Sequence, residues 1–293
     1  MDETIVLRKK HHLRAMWRTY FRTKELVIGT ILVSIILGIA VLAPIITPFP
    51  DKQNLVYRLS PPIWYGERSN GFLLGSDALG RDILARIFWG AQVSILVGST
   101  SVFLASIIGI PFGMIAGIFG GNIDNILMRI ADIQLAFPDV LLALAIVATT
   151  GPSLQNIILA IVITSWVKFA RLSRASTLVV KELTYTEGAR AIGASTLHIL
   201  LRTILPNIAT PLIILGTLQI GSAIITESAL SFLGLGIPPP TSTWGGMLAE
   251  GREYLMVAWW TSTFPGFAIM VAVLGINLMG NGLRQILDPK LNI

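Results

Sequence analysis

Runs of apolar residues about twenty positions long, parted by shorter polar stretches, set the pattern of this chain. The first, Leu26 to Ile46, is long enough to cross ~30 Å of hydrocarbon as a helix, and Pro44, Pro48 and Pro50 end it. Residues 47–89 form the longest polar stretch, with Pro61-Pro62, Trp64 and Gly75. Its second half, Asp77-Ala-Leu-Gly-Arg81-Asp82, reads as the start of a short amphipathic helix, with Asp77/Arg81 and Asp82/Arg86 as i,i+4 pairs. A second span is expected from Ala91 to Phe119 and a third from Ile126 to Thr149. The third has Arg129 and Asp132 near its start and a kink at Phe137-Pro138. Gly151-Pro152 is a tight turn before a fourth span, Leu154 to Ala170. The fifth runs from Asn207 to Leu235, where Gly236-Ile-Pro238-Pro239-Pro240 stops it, and the sixth from Ser262 to Leu283. Between them, residues 241–260 carry Trp244, Trp259 and Trp260, a residue type suited to the membrane interface.

Composition agrees with the pattern. Of 293 residues 53% are hydrophobic and only 13% charged, too few to cover a water-facing surface, so the fold class expected is an all-α integral membrane protein with six transmembrane helices. Charge placement sets the topology. Of the 22 Lys and Arg, 16 fall on one side of the six spans and 6 on the other, which puts both termini in the cytoplasm. The chain then divides into a cytoplasmic tail (1–25), a first transmembrane helix (26–46), an extracytoplasmic segment (47–89) and a five-helix core (90–293). In the tail, Leu13, Met16, Trp17, Tyr20 and Phe21 share one helical face, with Arg14, Arg18 and Arg22 around the other. That predicts a helix lying flat in the headgroup layer, with a solvated tail as the alternative. The net charge of +6 sits at the ends of apolar spans, which speaks for bilayer orientation and against a nucleic-acid partner.

The chemistry available is sparse. Cys is absent, and the three His, His11, His12 and His198, lack metal-ligand spacing, so neither a metal site nor an enzyme is expected. Gly109, Gly113, Gly117 and Gly121 recur every fourth residue, a ridge that lets another helix approach closely or that lines a flexing pathway. Glu227 lies late in the fifth span, and an acid at that depth is costly unless paired or facing water. It either faces a water-filled path or is a structural Glu bonded to Ser228 or a partner subunit. Gln219, Ser222, Ser228 and Asn277 are further polar positions that line a pore or join helices.

Residues 171–205 interrupt the apolar pattern with Arg171, Arg174, Lys181, Glu182, Glu187, Arg190 and Arg202, a cytoplasmic loop of about 35 residues that is long enough to imply a task. Its centre reads Tyr185-Thr-Glu187-Gly188-Ala189-Arg190-Ala191-Ile192-Gly193-Ala194, a short helix with little bulk on its face, and Gly193 is a natural stop. This segment resembles the cytoplasmic EAA loop of binding-protein-dependent ABC importer permeases. Glu187, Ala189, Gly193, Leu205 and Pro206 fall at matching positions, Gly188 replaces the middle Ala, and Thr203 stands where Ile is usual. Further segments are similar to the C-type permeases of dipeptide and oligopeptide importers and their nickel and glutathione relatives. They include Leu74-Gly-Ser-Asp77 with Gly80-Arg81-Asp82, Asp132 through Phe137-Pro138, Thr226-Glu227, and Leu230-Ser-Phe-Leu-Gly-Leu-Gly236. Pro238-Pro239 before Trp244-Gly245, Asn277-Leu, Gly282-Leu-Arg284 and Leu287-Asp288-Pro289 extend the likeness over residues 15–290.

The resemblance implies a type I ABC importer permease in a prokaryotic plasma (inner) membrane. Its partners would be a homologous second permease, two ABC ATPase subunits and an extracytoplasmic peptide-binding protein. The ATPases would bind ATP and Mg and grip the coupling helix, with no cofactor in this chain. The sequence independently calls for an outside motor, since it has no phosphate-binding loop and no Gly-Lys pair. The rival class is a proton-coupled secondary transporter that uses Glu227 or Asp132.

Overall fold

The computed structural model describes residues 20–50 and 52–287, with Glu67 and Arg68 described in their backbone alone. The expected interfacial helix lies mostly outside the described residues; within them, Tyr20–Arg22 are helical. The main helices begin with α1 (Lys24–Ile46), α2 (Ile83–Phe119), α3 (Gly121–Leu135), α4 (Asp139–Thr150) and α5 (Leu154–Val180). They are followed by the short α6 (Thr184–Ala191), then α7 (Leu205–Leu230), the short α8 (Trp244–Gly251) and α9 (Trp260–Leu287). Wider, π-type turns at Ile199–Ile204 and Ser231–Leu235 extend α7 at both ends.

Five of these helical stretches are long and apolar enough to cross a membrane, and the bent pair α3/α4 makes a sixth. The protein is thus a multi-pass helical membrane protein, as the apolar runs imply. The expected kink at Phe137-Pro138 is a break of 82°. Proline at 138 removes an amide donor and disfavours helical geometry in the residue before it, so α3 and α4 leave the break in different directions.

Three features differ from the sequence reading. First, Asp77 to Asp82 is a turn, not a helix. Leu79 N and Arg81 N both donate to Asp77 Oδ1 (2.8 and 2.9 Å), and Gly80 takes φ +72°. Helix α2 starts only at Ile83, where Asp82 accepts from Leu84 N at 3.1 Å. Second, α5 does not stop at Ala170 but continues to Val180. Arg171 and Arg174 therefore sit on a helix that outruns the apolar stretch, paired with Asp132 and Asp124 on α3. Third, Trp244 and Trp260 are buried inside the protein. Their indole N–H groups donate to Ile87 O (3.0 Å) and Ser76 O (3.1 Å), so protein backbone rather than the membrane interface satisfies them.

Helix packing follows the glycines. Helix α2 lies along α5 so closely that a methyl group at Gly109 would stand 2.3 Å from Trp166 O, and one at Gly113 2.0 Å from Ala170 O. Gly117 meets the Thr177 side chain in the same way. Gly121, the fourth of the series, has nothing within 4 Å among the described residues and starts the next helix. Across the bundle Gly29 on α1 presses against Met279 and Gly275 of α9, and Gly282 against Leu26. Small residues let backbones touch where lipid offers no hydrophobic drive for association.

Candidate functional site

Helix α6 follows the end of α5, at the same end of the bundle as Gly117 near the close of α2, and is tied to the bundle at few points. Thr186 is buried and its hydroxyl donates to Val180 O at 2.9 Å, which pins the first turn to the end of α5. Ala189 packs against the core and the helix leans on the wide turn at Ile199–Ile204. At the far end Gly193 N donates to Arg190 O (2.9 Å) and Ala194 N to Ala189 O (3.1 Å), with Gly193 at φ +84°. These two bonds form a Schellman cap, which needs a left-handed residue at the Gly193 position. Ser195 then accepts from His198 N (3.3 Å) and starts the next helix.

The rest of α6 faces outward. Tyr185, Glu187, Gly188, Arg190, Ala191 and Gly193 are all exposed, and a methyl group at Gly188 would meet nothing within 4 Å among the described residues. Glu187 lies in the first turn and Arg190 in the last, each favourably placed on the helix dipole. Leu205 packs against the core, whereas Pro206 is exposed in the first turn of α7. Two contributors escape the sequence reading. Ile192 is 86% exposed beside the cap, and Leu197 is also bare, so apolar surface borders the charged face. Neither stands out among so many aliphatic residues. The arrangement is a small protruding helix whose outward face sets small residues between one acid and one base.

The residues named for a translocation pathway do not share one surface. Glu227 is 0% exposed and accepts from Ser231 Oγ at 2.8 Å and, more weakly, from Ser228 Oγ at 3.4 Å. Gln219 and Ser228 are also buried, Asn277 is half-buried beside Gly221, and Ser222 is exposed.

On the opposite side from α6, a second charged cluster joins the start of α2 to α8. Arg81 and Arg86 each contact both Asp77 Oδ2 and Glu250 Oε2, all at 2.7 Å, and Arg86 Nε also donates to Ser242 Oγ at 3.3 Å. The i,i+4 partner expected for Arg86, Asp82, is instead occupied in capping α2. Burial lifts the Asp82 carboxyl above the usual carboxylate range, against the lowering effect of the Leu84 and Ala85 amides. The cluster borders a cavity of about 310 Å³. Removing one member of a buried pair leaves an uncompensated charge, at a cost of ~3–5 kcal/mol, whereas exposed pairs contribute ~1 kcal/mol or less. Arg86→Ala, at a side chain 4% exposed, is therefore expected to lower the unfolding midpoint in detergent by several degrees more than Glu250→Gln, at one 40% exposed. A midpoint scan of the two variants checks this; equal shifts would contradict it.

Comparison with known proteins places these features. Residues 109–293 match the family described as binding-protein-dependent transport system inner membrane component. Residues 13–62 match the N-terminal TM domain of oligopeptide transport permease C. The di/tripeptide transport system permease protein DppC of Pseudomonas aeruginosa is 43% identical over 95% of this chain and 92% of its own length. The dipeptide transport system permease protein DppC of Haemophilus influenzae is 40% identical over 99% of both chains. The glutathione transport system permease protein GsiD of Pectobacterium atrosepticum is 42% identical over 95% of this chain and 91% of its own. Among solved structures, a chain of the MetNI methionine ABC transporter in an inward-facing conformation superposes with a TM-score of 0.56 at 17% identity, covering 69% of this chain and 96% of that one. That last likeness is one of fold.

Proposed function

The chain belongs to the family of binding-protein-dependent transport system inner membrane components, with the type I ABC importer permease fold, and on that premise we propose that it carries dipeptides or oligopeptides into the cell. The cargo class rests on the names of relatives that align over nearly the whole chain. Glutathione, a tripeptide, falls in the same class, and a glutathione permease stands at similar identity.

In this reading the chain pairs with a homologous permease in a prokaryotic inner membrane, both termini cytoplasmic. Two ATPase subunits bind ATP and Mg and grip α6, and an extracytoplasmic binding protein delivers cargo on the other side. The observation that carries the coupling role is the knuckle itself: an exposed helix with small residues, pinned through Thr186 and closed by a glycine cap. Closure of the motors would push α6, and the wide turn at Ile199–Ile204 would pass the push to α7. The bundle would then alternate between two packings, inward- and outward-facing. Of the polar residues named for the pathway, Ser222 and Asn277 have surface to offer cargo, while Glu227 holds the outer end of α7 through Ser231.

The test is uptake of a labelled dipeptide by proteoliposomes holding the complete complex. Uptake is expected to require the ATPase subunits and ATP and to persist when the proton gradient is collapsed. Uptake that stops with the gradient while ATP remains would favour the proton-coupled class instead.

A further inference from the structure

The broken span carries an ion pair within the apolar stretch of α5. Helix α4 has 12 residues and is about 18 Å long, well short of ~30 Å of hydrocarbon. It ends at the Gly151 turn, where Thr149 and Thr150 are exposed and Asn156 donates to Thr150 O and Gly151 O (2.9 Å each). With that turn at one membrane surface, Asp139 at the opposite end of α4 lies about 18 Å in, and Lys168, 14 residues into α5, about 21 Å in. Lys168 Nζ and Asp139 Oδ2 are 2.9 Å apart, with side chains 33% and 38% exposed. Arg171 and Arg174, the next cations along α5, fall about 26 and 30 Å from the turn, close to the far boundary.

The elbow beside the pair is held independently. Gln134 Nε2 donates to Ile163 O, and Gln134 Oε1 accepts from Trp166 Nε1 at 2.6 Å. Lys168 and Asp139 are thus not needed to close the break, yet they sit at its open side, flanked by Phe137 and Leu141, which are more than half exposed. Charged groups on an apolar span are costly against hydrocarbon, so those present face a water-filled path or another protein. Discontinuous helices are where transporters bring backbone and charge to the substrate.

We propose that Lys168 and Asp139 line the translocation pathway and receive the termini of a zwitterionic peptide. The cargo's carboxylate takes the place of Asp139 on Lys168, and its ammonium takes the place of Lys168 on Asp139. The ion pair re-forms once the cargo leaves, so the path never exposes a lone charge. This deepens the peptide-importer reading and rests on it.

The experiment uses the complete reconstituted complex and labelled alanyl-alanine. Lys168→Met and Asp139→Asn are each expected to slow uptake about tenfold, a difference of ~1.4 kcal/mol, while the complex purifies with all its subunits. The neutral double variant, Lys168→Met with Asp139→Asn, leaves no lone charge and is expected to stay slow. Wild-type rates in both single variants, or recovery in the double variant, would reduce the residues to a structural tie and overturn the proposal. Accessibility gives a second arm that needs no transport. The chain has no cysteine, so Asp139→Cys would be its only thiol. A charged, water-soluble methanethiosulfonate is expected to label it in the resting complex and to be excluded when alanyl-alanine is present. No labelling in any state would place the residue against lipid or a sealed subunit contact, and the proposal would fall. A wild-type complex that moves no dipeptide would defeat the importer reading instead, and labelling would still decide whether Asp139 faces water.

Discussion

Gly113→Leu is expected to remove almost all correctly folded subunit from the membrane. Even a methyl group at this position would lie 2.0 Å from Ala170 O and 2.8 Å from Arg174 N. Both are backbone atoms of α5, and a helix backbone cannot step aside as a side chain can. Overpacking of a core commonly costs ~1–3 kcal/mol when side chains can shift, and here the helices themselves must part. Parting them also breaks the bonds that cross the seam, from Ser173 Oγ to Ile110 O (2.8 Å) and from Lys181 Nζ to Gly117 O (3.0 Å). Recovery of monodisperse protein in detergent and its unfolding midpoint measure the effect. Gly38→Ala is the control. It lies inside α1 with nothing within 4 Å among the described residues, so alanine should be neutral or stabilising by ~1 kcal/mol through helix propensity. Normal yield of Gly113→Leu would mean that α2 and α5 do not pack through this ridge.

The second large effect is expected at the knuckle. Glu187→Lys combined with Gly193→Val should leave the transmembrane bundle folded but release the ATPase subunits, with uptake falling to background. Gly193 has φ +84°, and a β-branched residue in that left-handed conformation is disfavoured by ~1–2 kcal/mol, so the Schellman cap opens and the end of α6 turns away. Glu187 is exposed in the first turn, so its reversal changes the face offered to the motor without disturbing a buried contact. Lysine there also opposes the helix dipole. Co-purification of the ATPases with tagged permease reads the outcome, and the unfolding midpoint of the permease shows whether the bundle survived. ATPases retained at wild-type amounts would remove α6 from the coupling interface.

Much of the fold is legible along the chain because a bilayer imposes its own ruler. Six apolar runs map onto five long helices and one bent pair, and Phe137-Pro138 marks the bend. Gly193 announces the end of α6 because few other residues adopt its conformation at low cost. What hydropathy measures, though, is where the hydrocarbon ends and not where a helix ends. Arg171 and Arg174 interrupt the apolar pattern, yet α5 runs on to Val180, with those arginines paired to α3. The turn at Asp77 shows the same limit from the other side. Spacing of four suggested helical pairs, and Arg81 does meet Asp77, but through a loop that the Asp77 carboxylate itself organises.

Single residues divide along the same line. Apolar length, charge bias and the pattern around Glu187 to Gly193 determine by themselves a multi-span helical membrane protein with a small exposed knuckle, because bilayer thickness and backbone sterics act locally and leave their mark in order along the chain. Only the tertiary structure decides that Trp244 and Trp260 fill the interior, that Glu227 is sealed against Ser231, and that Arg86 reaches past Asp82 to Asp77 and Glu250. Nor does residue order announce that Asp139 and Lys168 meet at the open side of a broken helix. Each of these depends on which helices lie side by side, and that is set by the summed fit of many small contacts between segments far apart in the chain, glycine against backbone above all.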